Sequence, residues 1–238
     1  MENKPLLKIK DLTVVLDNRK ILDGISFEMH QHDVLSVIGP NGSGKSTLLK
    51  TIIGIEKPAE GTIEISRNTK IGYLPQRFGV DKYLPMTVGE FLNLKPGIKQ
   101  REIKETLSQL SLETSFTGKT LSSLSGGQLQ KALIAWVIAD KPNLLLFDEP
   151  TENIDMVSEE SIYMLLHELQ KTLKMAMIIV SHDLSVVYKY SNNVACINSK
   201  MMCYGQPKEI LTPETLQDLY GGHSSFFLHK HGEDNIGI

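Results

Sequence analysis

Apolar and polar positions divide the chain into three stretches of different period. In the first third, Leu7–Leu16 and Ile25–Met29 alternate in part between apolar and polar side chains, the period-2 pattern of half-buried strands. Val34–Ile38 is an unbroken apolar run, which suits a strand buried on both faces. A glycine-rich loop, Gly39–Ser46, comes next, then a helical pattern over Thr47–Ile53 that stops at Gly54 and Pro58. Gly61–Ser66 and Lys70–Leu74 predict two more short strands. From about Pro85 to Ala139 the period changes to that of helices. Val88–Leu94, Ile103–Leu110 and Gln128–Ile138 carry apolar residues at helical spacing, and Pro96–Gly97 separates the first two. This stretch reads as a helical subdomain inserted between strands. In the last third, the apolar run Leu144–Phe147, an amphipathic helix over Val157–Leu173 and the apolar run Met175–Val180 alternate, and such alternation implies parallel pairing in an α/β core. A hairpin of Val194–Ile197 and Met201–Tyr204 is expected after them. Neither an internal repeat nor a low-complexity linker interrupts the chain, so residues 1–238 read as one domain with a tail over about 221–238.

Composition narrows the classes without choosing among them. The 238 residues are 41% apolar and 22% charged, ordinary for a globular protein. A net charge of −3 suggests no nucleic-acid-binding surface. The two cysteines, Cys196 and Cys203, are too few for a secreted disulfide scaffold, and a reducing compartment is the simple reading. The start of the chain has no signal-peptide pattern, and no apolar run approaches the roughly 20 residues that span a bilayer. Action at a membrane would therefore need another protein as anchor.

Three motifs carry chemistry. Gly39-Pro40-Asn41-Gly42-Ser43-Gly44-Lys45-Ser46, followed by Thr47, matches the phosphate-binding pattern G-x-x-x-x-G-K-[ST] between a buried strand and a helix. Its glycines let successive N–H groups point at phosphate oxygens, and the next helix adds its positive end. Lys45 suits the outer phosphates and Ser46 offers a hydroxyl to Mg²⁺. Leu144–Phe147 runs into Asp148 and Glu149. Asp148 would hold the Mg²⁺. Glu149, one residue on, points to the other side of the strand end, placed to polarise a water for in-line attack on a γ-phosphate. Taken alone, two acids at a strand end are as readily solvated surface. Beside a phosphate loop on a parallel strand they gain meaning, because ligands bind at the carboxyl ends of such strands. In the third motif, Ser125, Gly126 and Gly127 could offer a hydroxyl and N–H groups to an anion at the start of a helix.

A phosphate loop, then Leu124-Ser125-Gly126-Gly127-Gln128, then a strand ending Asp148-Glu149-Pro150 resembles the ABC ATPase family over nearly the whole chain. The resemblance implies a P-loop ATPase core with a mainly parallel sheet, an N-terminal antiparallel β subdomain and an inserted helical subdomain. It implies ATP and Mg²⁺ as cofactors, with Gly39–Thr47 on the phosphates. It also implies a head-to-tail homodimer in which Ser125, Gly126, Gly127 and Gln128 cap the partner's ATP. Gln76 resembles the glutamine that meets Mg²⁺ or the attacking water and senses a membrane partner, so the expected metal set is Ser46, Gln76 and Asp148. His182, in Ser181-His182-Asp183, resembles the histidine that bonds the γ-phosphate. The expected catalytic set is then Glu149, His182, Gln76 and Lys45. Asp155 resembles the aspartate of the loop that crosses the dimer interface, although Glu152-Asn153-Ile154 is not its commonest context. One departure stands out. The family often stacks an aromatic ring on adenine near the end of the first strand, where Leu16 stands, and no Tyr, Phe or Trp lies between Met1 and Ser26. Loss of a stack costs about 0.5–1.5 kcal/mol, so ATP binding survives and base selectivity is what changes.

Within the family, Ile71–Gln76, Leu84–Phe91 with Leu94–Gly97, and Val194–Gly205 resemble zinc- or manganese-type importers, nearest to bacterial zinc-uptake ATPases. That resemblance implies integral membrane permease subunits, a periplasmic or surface metal-binding protein acting indirectly, and a peripheral place on the cytoplasmic face of the cell membrane. It also implies that residues 85–97 and the surroundings of Gln76 form a groove for the permease. If Asn198–Met201 is a turn, Cys196 and Cys203 face each other across the hairpin. Two thiolates could begin a zinc site, but structural zinc takes four ligands and no second cysteine pair exists, so small buried thiols are favoured. His223, His229 and His231 read as scattered histidines of a tail rather than a metal sensor. Two other classes compete. A soluble ABC protein acting on ribosomes or in DNA repair would usually have two nucleotide domains or a long coiled coil. A non-catalytic scaffold would not need Glu149, His182 and Gln76 together.

Overall fold

The computed structural model describes residues 4–76, 85–151 and 154–221, with backbone only for Met156 and Val157. Leu84, Glu152, Asn153, His223, His229 and His231, and most of the expected tail, lie outside the described residues. Among the described residues, nine strands form two sheets. β1 (Leu7–Leu16) lies between β2 (Arg19–Met29) and β4 (Glu60–Ile65) in an antiparallel sheet, ordered β2-β1-β4. The second sheet is ordered β5-β6-β7-β3-β8-β9. Its strands β5 (Ile71–Leu74), β6 (Leu144–Asp148), β7 (Ala176–Val180), β3 (Val34–Ile38) and β8 (Asn193–Asn198) are parallel. Only the edge strand β9 (Lys200–Gly205) is antiparallel.

The unbroken apolar runs are strands covered on both faces. Along β6, Leu145 and Phe147 enter one core with the helices, while Leu144 and Leu146 enter a second core with the antiparallel sheet and α1 (Lys45–Ile52). In β7, Met177 and Ile179 take the first side and Ala176, Ile178 and Val180 the second. Period-2 side-chain direction therefore needs apolar residues at every position. Between β5 and β6 the chain builds α2 (Val88–Asn93), α3 (Gln100–Gln109) and α4 (Gly126–Ile138), which agree with the expected inserted helices. After them come α5 (Met156–Leu173), α6 (Leu184–Tyr190), α7 (Pro207–Ile210) and α8 (Pro213–Tyr220). The last three were not expected from periodicity, being short. Tyr204 ties the two sheets together by stacking on Phe27 and donating from its hydroxyl to the Glu28 carbonyl at 2.8 Å.

The cysteine expectation needs correcting. Cys196 and Cys203 are direct cross-strand neighbours in the β8–β9 hairpin, Cα–Cα 4.9 Å, and their sulfurs are joined as a disulfide rather than left as two thiols. Cys196 is buried and Cys203 half-buried. The turn is tighter than expected, with Ser199 alone between the paired Asn198 and Lys200. Among the described residues no group of three or more His, Cys, Asp or Glu is placed to hold a metal ion. No described helix is long and apolar enough to cross a membrane.

Candidate functional site

Register brings the candidate residues to one edge. Leu74 pairs with Phe147, Asp148 with Val180, and Val37 with Val180, so β5, β6, β7 and β3 end level. The residues just past the strand ends are therefore level too: Gln76 after β5, Glu149 after β6, His182 after β7 and the phosphate loop after β3. Backbone bonds continue the ladder past the strands, from Glu149 N–H to Val180 O at 3.2 Å and from Ser181 N–H to Val37 O at 3.3 Å. This is the edge where parallel sheets bind ligands.

The phosphate loop is shaped by close backbone approaches. A Cβ on Gly39 would lie 2.0 Å from the Ile197 carbonyl oxygen, and one on Gly44, at φ +101, would lie 2.6 Å from a Leu22 methyl. The loop is held from outside as well, because Ser199 N–H donates to Ser43 O at 3.0 Å. Lys45 opens α1 and is 5% exposed. Its Nζ donates to the loop carbonyls of Gly39 and Pro40 at 2.9 and 3.0 Å. Burial pushes its pKa down, against the pull of Glu149 and Asp148. The Ser43 hydroxyl is buried and has no partner among the described residues. A buried orphan hydroxyl inside a curl of N–H groups fits a phosphate oxygen.

The two acidic neighbours have separate surroundings. Asp148 accepts from Ser46 Oγ at 2.9 Å and from Tyr73 Oη at 3.4 Å. Burial raises the Asp148 pKa, the Ser46 bond opposes this and the Glu149 charge adds to it. Tyr73 is pushed up to about 12 by burial first and then by Asp148. Glu149 leaves the strand with φ +51, which turns its side chain toward other partners. Its Oε1 is 2.6 Å from His182 Nε2 and 3.9 Å from Lys45 Nζ, and its Oε2 accepts from Gln76 Nε2 at 3.0 Å. A cleft of ≈ 330 Å³ opens beside Glu149 and His182, with Thr151, Tyr163 and Ser181 behind them. A hydroxyl and a carboxylate side by side are hard oxygen donors of the kind Mg²⁺ takes. A carboxylate beside an imidazole, an amide and an ammonium can accept a proton where phosphate charge is neutralised.

Ser125–Gln128 stand apart from this cluster. Ser125 is the N-cap of α4, and it and Gln128 bond each other reciprocally at 3.3 and 3.4 Å, a capping box. Among the described residues none of the four bonds to Lys45, Asp148, Glu149 or His182. Gly127 instead abuts Ser158 at the start of α5, whose N–H is capped by Asp155 Oδ1 at 3.0 Å. The motif at 125–128 and Asp155 are thus neighbours on one face. Leu16 is half-buried at the end of β1. Tyr73, Thr151 and Tyr163 were not singled out from sequence. Tyr73 was open to inference, since a tyrosine next to the end of a strand paired with β6 reaches the level of Asp148.

A family profile described as ABC transporter matches residues 22–152. The chain belongs to the ABC transporter family, as one of its ATPase subunits. Among its relatives in that family, the zinc import ATP-binding protein ZnuC of Haemophilus influenzae is 39% identical over 232 residues, 96% of this chain and 86% of that protein. Among solved ABC structures, one described as a metal-chelate type transporter in an inward-facing conformation matches with TM-score 0.82 and 28% identity, covering 91% of this chain and 89% of that one. A dimeric post-hydrolysis ATP-binding cassette bound to ADP and phosphate matches with TM-score 0.72 and 26% identity over 84% and 98%. The α/β architecture with an antiparallel β subdomain and a mostly parallel sheet is that of ABC ATPases.

Proposed function

We propose that this chain energises uptake of a divalent metal ion, zinc, as a homodimer docked on membrane permease subunits at the cytoplasmic face of the cell. The gathering of Gln76, Lys45 and His182 around the Glu149 carboxylate, next to Ser46 and Asp148, carries the catalytic half of this reading. The zinc half rests on the relatives named as zinc import proteins.

In this reading residues 39–47 wrap the phosphates with backbone N–H groups, and Lys45 exchanges its loop carbonyls for phosphate oxygens. Ser46, Asp148 and Gln76 would hold Mg²⁺, which when bound neutralises charge on the phosphates and fixes their geometry. Glu149 takes the proton of the attacking water. His182 orients Glu149 and donates toward the γ-phosphate. Ser125, Gly126, Gly127 and Gln128 close on the partner's nucleotide, consistent with a dimeric cassette among the structural relatives. Leu16 offers the base an aliphatic contact in place of a ring stack.

The test is elemental analysis of cells lacking this chain, grown with limiting metal and complemented with wild type or with Glu149→Gln. The expected result is a fall in cell zinc that only wild type restores. A fall in manganese or iron instead replaces the cargo and keeps the ATPase roles. Restoration by Glu149→Gln removes Glu149 from its assigned role, because loss of a general base lowers turnover by about 10²-fold or more.

A further inference from the structure

Behind Glu149 and His182 runs a chain of hydrogen bonds that the proposed reaction does not use. Tyr163, on α5, is 3% exposed. Its phenol oxygen lies 3.2 Å from Thr151 Oγ1 and 3.2 Å from Ser181 Oγ. Thr151 Oγ1 donates to Glu159 Oε1 at 2.7 Å, and the Asp183 N–H donates to Ser181 Oγ at 3.1 Å. Each hydroxyl has one proton and a carboxylate only accepts. Thr151 gives its proton to Glu159, so its oxygen accepts from Tyr163. The phenol proton is then committed, so the phenol oxygen accepts from Ser181. The whole chain therefore has one polarity: Ser181 to Tyr163, Tyr163 to Thr151, Thr151 to Glu159.

We propose that Tyr163 is a positioning residue for ATP hydrolysis, its phenol joining the loop that carries Glu149 to the loop that carries His182. This rests on the roles proposed for those two residues under the zinc-importer reading. Thr151 follows Glu149 by two residues and Ser181 directly precedes His182. Both hydroxyl residues are buried, and both line the back of the cleft that opens beside Glu149 and His182. Glu149 has a left-handed backbone, φ +51, a state unfavourable for a non-glycine residue that persists only where the surroundings impose it. The bond from Glu149 N–H to Val180 O holds the start of the two loops together, and the phenol closes them from the helix side. Burial raises the pKa of the phenol, which keeps its proton in place. Bonds in such a chain polarise one another and act as a unit.

The experiment compares ATP turnover, KM, affinity for a non-hydrolysable ATP analogue and Tm in wild type, Tyr163→Phe, Thr151→Val, Thr151→Ser and Glu149→Gln. Tyr163→Phe removes one oxygen and is expected to lower kcat about tenfold, with KM and analogue affinity within about twofold, as for a group that acts on the transition state alone. Thr151→Val should fall by the same factor, and the double variant should fall no further, because both cut one chain. Thr151→Ser restores the hydroxyl and should restore kcat. Wild-type kcat in Tyr163→Phe, assayed well below its Tm, with Glu149→Gln inactive, overturns the positioning role and leaves the catalytic assignment standing. Wild-type turnover in Glu149→Gln overturns both. If Tyr163→Phe is unstable, the Thr151→Val and Thr151→Ser pair decides: equal kcat in the two overturns the proposal.

Discussion

Asp148 and Glu149 are adjacent, yet they share no hydrogen-bond partner: one meets Ser46 and Tyr73, the other Gln76 and His182. The difference has a pH consequence at Asp148, which is 2% exposed. Its folded-state pKa is raised by burial above the unfolded value. The folded protein therefore binds this proton more tightly than the unfolded chain, and the ionised carboxylate lowers stability at neutral pH. That penalty disappears as pH falls through the folded-state pKa. Asp148→Asn keeps an oxygen for Ser46 and is expected to raise the Tm of the nucleotide-free protein by roughly 2–4 °C near neutrality, about 1 kcal/mol for a chain of this size. The gain should vanish below about pH 4, where aspartate is protonated in both states. Melting curves from about pH 3 to about pH 8 check this, and no gain at neutral pH contradicts it. The same variant should lose Mg²⁺-dependent hydrolysis. Residues of this kind were legible in the sequence because their chemistry demands fixed types at fixed spacing. Tyr163 was not, because an aromatic at helical spacing looks like core, and its hydroxyl gains meaning only when two distant loops meet it.

At the scale of elements, each end of α4 has its own device. Its N-terminus is closed by the Ser125–Gln128 capping box. At its C-terminus Lys95, 6% exposed, reaches in from beyond α2, donating to the Trp136 and Val137 carbonyls, pairing with Asp140 at 2.9 Å and lying 4.5 Å over the Trp136 ring. A cation at the last carbonyls satisfies groups that the helix leaves open and complements its dipole. Lys95→Met keeps the packing volume and removes the donor. It should cost about 2 kcal/mol, a Tm fall of roughly 4–8 °C, as for charge-assisted bonds in a buried site. Thermal denaturation reads this directly, and an unchanged Tm would show that the carbonyls find water instead. Element boundaries were most legible where burial imposes a strict period: β1 and β3 run over the expected residues. The start of β2 was missed because Arg19 and Lys20 give no apolar alternation. The short helices α6, α7 and α8 were missed for want of enough turns to show a period. α8 still carried a start signal in Thr212, its N-cap, followed by Pro213 in the first turn.

At the scale of the whole molecule, the six-stranded sheet has apolar core on each face, and its carboxyl edge gathers residues from four strands that are far apart in sequence. Sequence motifs forecast that gathering because phosphate chemistry requires it. They did not forecast the disulfide, since two cysteines in a chain read as belonging to a reducing compartment favour buried thiols. The separation of Ser125–Gln128 from Lys45 and Glu149 makes a prediction at this scale. Lys45→Ala and Ser125→Arg should each abolish turnover alone. A mixture of the two should regain part of it, because a head-to-tail dimer of one of each contains one intact phosphate loop facing one intact Ser125. An ATPase assay of the mixture against each variant alone checks this. No recovery would place the motif on its own chain's nucleotide.

The contact of the β8–β9 hairpin with the phosphate loop bears on how the chain can vary in length. Its tip gives the Ser199 N–H to Ser43 O, and the Ile197 carbonyl lies where a side chain on Gly39 would be. A residue added at Ser199 would move both contacts and so deform the nucleotide site from a distance. The turn at Asp17–Asn18 joins two strands of the other sheet and has no such contact with Ser43 or Gly39 among the described residues. An inserted residue is therefore expected to disturb the phosphate loop at Ser199 but not at Asp17–Asn18, where it would reach only the base contact of Leu16, although both are short hairpins.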